Sequence, residues 1–121
     1  MEDYILREID GIGEMLMKIA RKMGLFLDDV PDYPLTEVKE EFEKEGCPVS
    51  LDVLLEQKYP VKYLVEDIKL SDQSLELLIE LFFHSSLEES RKQALLADAL
   101  TYFDGKGYYS FKLHALEGEK S

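Results

Sequence analysis

Ile5, Ile9, Ile12, Leu16, Ile19 and Met23 recur at steps of four, three, four, three and four. That spacing lays one apolar stripe along a helix, because residues three and four apart share a face. It predicts a long first helix over Met1–Met23 with one side to bury. Charge placement agrees: Glu2 and Asp3 stand at the positive end of the helix dipole, and Lys18, Arg21 and Lys22 at the negative end. Gly24 follows as a stop signal. Gly11 and Gly13 oppose the helix, each costing about 1 kcal/mol relative to Ala in its interior. Gly13 borders the stripe, which fits a close crossing by another helix, with a kink as the alternative. Gly11-Ile12-Gly13 is not a nucleotide loop, since no strand precedes it and the third glycine of that fingerprint is missing.

Beyond Gly24, punctuation divides the chain into short helices. Pro31 and Pro34 mark Leu25–Pro34 as a connector. Leu35–Glu45 reads as an acidic helix with Val38 and Phe42 inward and Thr36 as a candidate N-cap. Gly46-Cys47-Pro48 stops it, Ser50 opens a short helix with Val53 and Leu54 inward, and Pro60 interrupts before Val61–Ile68. Ser71 then caps a helix whose stripe is Leu75, Leu78, Ile79 and Phe82. Ser86 and Glu89 have the spacing of a capping box for a helix running to about Phe103. Gly105 and Gly107 form a turn, and Tyr108 to about Leu116 makes the last helix, with Tyr109, Phe111, Leu113 and Leu116 as its apolar residues. No segment alternates as a strand would. The expected fold is all-α: one domain over residues 1–121, an array of antiparallel helical hairpins with a long N-terminal helix.

The charge excludes several functions. The net charge is −12, and the segment from Asp28 to Glu56 carries −8 of it. A phosphate backbone needs clustered Lys and Arg, so nucleic acid is excluded as a partner, and anionic membrane surfaces are disfavoured for the same reason. No stretch approaches the roughly 20 apolar residues of a membrane span, and no basic start precedes an apolar run, which reads as a cytoplasmic protein. The acidic segment is either a solvated face or a docking surface for a basic partner or a cation. Cys47 is the lone cysteine, so no internal disulfide can form.

No catalytic, cofactor-binding or metal site is expected. His84 and Glu88 lie four apart with Ser85-Ser86 between them, and His114 is distant; neither paired histidines nor a Glu-x-x-His pattern occurs. Asp28, Asp29 and Asp32 lack the glycine of a calcium loop. Cys47 sits among acids that disfavour its thiolate. Tyr102, Phe103, Tyr108, Tyr109 and Phe111 form the densest aromatic group, too many for all to point inward, and tyrosine suits a half-buried contact surface. The candidate interface is therefore Ile5, Ile9, Ile12 and Leu16 on the first helix with Tyr102, Tyr108 and Tyr109. The expected function is a non-enzymatic protein-interaction module. The alternatives are a homo-oligomer paired through its first helix, and a small ligand-binding protein or enzyme.

Two resemblances accompany this reading. Ala94, Ala97 and Ala99, then Tyr102 and Phe103, a glycine turn, and Tyr108 and Tyr109 resemble a tetratricopeptide hairpin over about a quarter of the chain. Asp3-Tyr4-Ile5-Leu6-Arg7-Glu8-Ile9 resembles the start of a group of short, uncharacterised bacterial helical proteins. The second resemblance implies a bacterial origin and a helical-repeat-like fold, and supplies no functional residues.

Overall fold

The computed structural model describes residues 2–120, and the side chains of residues 11–117. Its elements are α1 (Glu2–Lys22), α2 (Leu35–Glu45), α3 (Leu51–Glu56), α4 (Pro60–Tyr63), a π-helical turn (Leu64–Ile68), α5 (Asp72–Phe83), α6 (Glu89–Gly105) and α7 (Phe111–Lys120). The fold is all-α, with an isolated parallel bridge between Tyr33 and Ser85 and no strand among the described residues.

The helix α5 is the hub. It packs against α1, α6 and α7, while α2 lies on α1 and α4 on α6. Nine of its twelve residues are buried, far more than the four-residue stripe expected. A helix apolar nearly all round must be covered on several sides, and here three helices do so. From α1, Leu16, Ile19 and Ala20 enter the core, and Met23 follows them just past its end.

The crossing of α1 by α5 occurs at Gly13. A Cβ there would stand 2.9 Å from Ser74 Oγ. Ser74 is itself held, because the Ser71 hydroxyl donates to it at 3.0 Å and accepts from its backbone N–H at 3.2 Å. Gly11 meets nothing within 4 Å. The two glycines should therefore respond oppositely. Gly11→Ala is expected to stabilise the chain by about 0.5–1 kcal/mol through helix propensity. Gly13→Val should destabilise by about 1–3 kcal/mol through overpacking. Urea unfolding of both variants checks the pair.

Three helices end alike. After α1, α2 and α6, a glycine adopts positive φ (Gly24, Gly46, Gly107), and the next N–H reaches back to a carbonyl five residues earlier: Leu25 to Ala20, Cys47 to Phe42, Tyr108 to Phe103. This is the Schellman arrangement, which also presses the residue after the glycine onto the helix's last turn. It accounts for Cys47, half-buried beside Phe42, whose thiol pKa is raised by burial.

Long-range bonds replace two caps expected from local sequence. Thr36 does not cap α2; Pro34 occupies the N-cap, and the N–H of Leu35 donates to Ser86 Oγ at 2.8 Å. Ser86 is thereby used from 51 residues away and is not the N-cap of α6. The helix α6 starts from Glu88 without a side-chain cap. Two further expectations change. Val53 is exposed while Leu51 and Leu54 face inward. The last helix begins at Phe111, not Tyr108, with the Ser110 hydroxyl accepting from Leu113 N–H at 3.2 Å.

The connector before α2 is pinned to the C-terminal end of α5. The Tyr33 phenol donates to the Leu81 carbonyl at 2.7 Å, and its backbone N–H to the His84 carbonyl at 3.2 Å. These occupy carbonyls that a helix end leaves without intrahelical donors.

Candidate functional site

The sequence from Phe103 to Phe111 divides its aromatics into an inner and an outer set. The turn at Gly107 folds Tyr108 back onto Phe103, with ring centroids 4.9 Å apart. The Tyr108 phenol then donates to Glu76 Oε1 at 2.9 Å. Glu76, buried on α5, also accepts from the hydroxyl of Ser110. One carboxylate thus fixes both the turn and the cap of α7. Tyr102 is held by Lys106, whose ammonium lies 5.3 Å from its ring centroid and donates to Asp72 at 2.9 Å.

The outer set follows from where α7 starts. With Ser110 as N-cap, Leu113 and Leu116 face inward and Phe111 faces outward. Phe111 is 79% exposed and Tyr109 58%. The Tyr109 ring stacks flat on His114 at 4.5 Å and meets Phe111 edge-on at 4.8 Å. The pair is exposed yet ordered by its own contacts, so little side-chain freedom remains for a partner to remove.

Lys112, Ala115 and Leu116 of α7 also line a cleft of about 1040 Å³, bounded otherwise by the connector, the end of α5 and the start of α6. Its lysines are matched: Lys112 to Glu80 at 3.8 Å and Lys92 to Glu89 at 3.6 Å. Asp28, Asp29 and Asp32 also line it.

The candidate residues are therefore not one surface. Ile5 and Ile9 have side chains outside the described residues. Ile12 is half-buried against the core, and Leu16 is fully buried, so Leu16 presents nothing to a partner. Tyr102 and Tyr108 are half-buried and tied to the chain's own groups, while Tyr109 is exposed. Phe111, 79% exposed, belongs to the aromatic group read from the sequence but not to the candidate interface residues. The signal that could have placed it is Ser110, the cap-type residue between the glycine turn and the last helix. Among the described residues, no cluster of three or more His, Cys, Asp and Glu side chains could hold a metal, and no helix is long and apolar enough to cross a membrane.

The phenols of Tyr33 and Tyr108 have raised pKa values. Burial is the main cause for Tyr33, followed by the charges of Glu80 and Asp32; for Tyr108 it is the hydrogen bond to Glu76. A raised phenol pKa contributes stability that is present below the unfolded value of about 10 and is lost as pH rises through the folded value. Thermal stability is accordingly expected to fall above pH of about 10. In a titration followed by tyrosinate absorbance, these two phenols should ionise above the ordinary phenol range. Loss of this late step in Tyr33→Phe and in Tyr108→Phe would assign it, and its absence from the parent chain would contradict the two bonds.

Comparison of the chain with family models, curated proteins and solved structures returns no match.

Proposed function

We propose that this chain is a small, non-enzymatic protein-interaction module that engages its partner through the outer face at the start of α7. The observation that carries this reading is the exposed Tyr109–Phe111 pair, two large aromatic rings on the surface held in place by His114 and by the Glu76–Ser110 bond. Tyrosine and phenylalanine are enriched at contact surfaces because their rings give large contact area at low entropic cost. The α6–turn–α7 order supports a tetratricopeptide-like reading of this end of an antiparallel hairpin array. In that reading Tyr108 belongs to the turn, and Ala94 and Ala97 lie on the exposed side of α6.

A photoreactive phenylalanine analogue placed at position 111 tests the proposal in cells that make the chain. A discrete cross-linked species is expected from position 111 and not from Thr101, an exposed position on α6. If position 111 yields no more adduct than position 101, the aromatic face is not an interaction surface.

Self-association through α1 is the second reading. It is favoured by length, since α1 has 21 residues and α5 has 12, a difference of about 13 Å at 1.5 Å per residue. The apolar positions Ile5 and Ile9 precede the crossing at Gly13. Sedimentation of the purified chain over a wide concentration range separates the two: a strict monomer removes the second reading.

A further inference from the structure

We propose that the exposed aromatic pair and the neighbouring cleft form one docking surface, and that its occupant is a peptide segment of a partner protein carrying arginine or lysine beside apolar side chains. The inference rests on the interaction reading above and names the chemistry of the partner.

Two observations join here. The first is continuity. Ala115 lines the cleft, and Phe111 lies one helical turn before it, so the two share a face of α7. An occupant of the cleft that continues along α7 meets Phe111 and then Tyr109. The second is charge. Both lysines of the cleft already face carboxylates, Lys112 at Glu80 and Lys92 at Glu89. Asp28, Asp29 and Asp32 have no ion pair among the described residues, and their side chains are exposed at the rim. The cleft is left with an excess of negative charge, which its low-dielectric walls focus. A cationic side chain can sit among the three aspartates while an apolar neighbour covers Phe111. Arginine can also stack on an aromatic face. A second copy is disfavoured as the occupant because a chain of net charge −12 brings like charge to this cleft.

The test is fluorescence anisotropy with a labelled synthetic peptide of arginines and leucines. Two matched controls replace its arginines by glutamates or its leucines by serines. Saturable binding is expected for the first peptide alone, weakening as salt is raised. Phe111→Ala, and separately Asp28→Asn with Asp29→Asn and Asp32→Asn, should each weaken it about ten-fold. Glu37→Gln with Glu40→Gln and Glu43→Gln removes the same charge from the exposed side of α2 and should leave binding within about two-fold. All these positions are exposed, and unchanged melting confirms that each variant folds. Equal loss from the α2 substitutions, or undiminished binding by Phe111→Ala, would reduce the attraction to general acidity and overturn the proposal. So would Phe111-dependent doubling of mass in light scattering, which assigns the surface to a second copy. A cross-link at position 111 without binding of the basic peptide overturns the partner chemistry alone; loss of both removes the interaction reading as well.

Discussion

Leu16→Asp is expected to leave the chain without a cooperative unfolding transition at room temperature. Leu16 is fully buried at the middle of the α1 face that meets the core. The substitution removes about 2–3 kcal/mol of apolar burial and places a carboxylate in the apolar core. An uncompensated buried charge costs several kcal/mol more. Domains of this size are stable by about 5–15 kcal/mol, so the two losses together approach the whole. Leu16→Ala, which creates only a cavity, should cost about 2–5 kcal/mol and leave a folded chain with a lower melting temperature. Met17→Asp supplies the control, because Met17 is 43% exposed and surface changes usually stay within about 0.5 kcal/mol. Circular dichroism during heating reads all three. A Leu16→Asp chain that melts like the parent would mean that α1 does not pack as described.

The contrast between Leu16 and its neighbour is also a measure of what the chain discloses by itself. The position of α1, its buried face and its stop at Gly24 are local properties, carried by periodicity and a left-handed glycine. Gly13 was legible for a related reason: a small residue beside an apolar stripe implies a close neighbour, and Ser74 is that neighbour. The identity of that neighbour was not legible, because no local signal relates residue 13 to residue 74. The same limit explains the two misplaced caps. Ser86 has cap-like spacing to Glu89, but its hydroxyl accepts from Leu35, which the docking of Tyr33 on α5 holds nearby. Tertiary competition for one hydroxyl outweighs the local pattern. At the candidate site, sequence reasoning found the aromatic cluster but not its division. Starting the last helix at Tyr108 instead of Phe111 left the inner and outer aromatics unsorted. The Glu76 bonds that set the division join residues 32 and 34 apart, so no window of local sequence contains them.

Glu76 gives the second large expected effect. Its carboxylate is buried, which is tolerable because two hydroxyls donate to it, from Tyr108 and Ser110. Ser110 is also buried, and its oxygen accepts from Leu113 N–H while its proton goes to Glu76. Glu76→Leu roughly preserves size but strands both donors, and an unmatched buried hydroxyl costs about 1–3 kcal/mol. A total loss of about 2–4 kcal/mol is expected from urea unfolding. Ser110→Ala alone leaves the carboxylate with the Tyr108 donor and removes the cap of α7, at about 1–2 kcal/mol. Combining the two should cost less than their sum by about 1 kcal/mol, because the double variant has no stranded Ser110 hydroxyl. Strict additivity would mean that the two side chains do not share a bond. The position of the damage is equally specific. Hydrogen exchange of Glu76→Leu should rise first over the 106–110 turn and α7, with α1 and α5 still protected, since those helices keep their apolar contacts. Because the same turn holds Tyr109 and Phe111 in place, the cross-link at position 111 should weaken in the folded Glu76→Leu chain although residue 111 itself is untouched. A chain that loses α7 protection yet cross-links at full strength would show that the aromatic pair does not depend on its support.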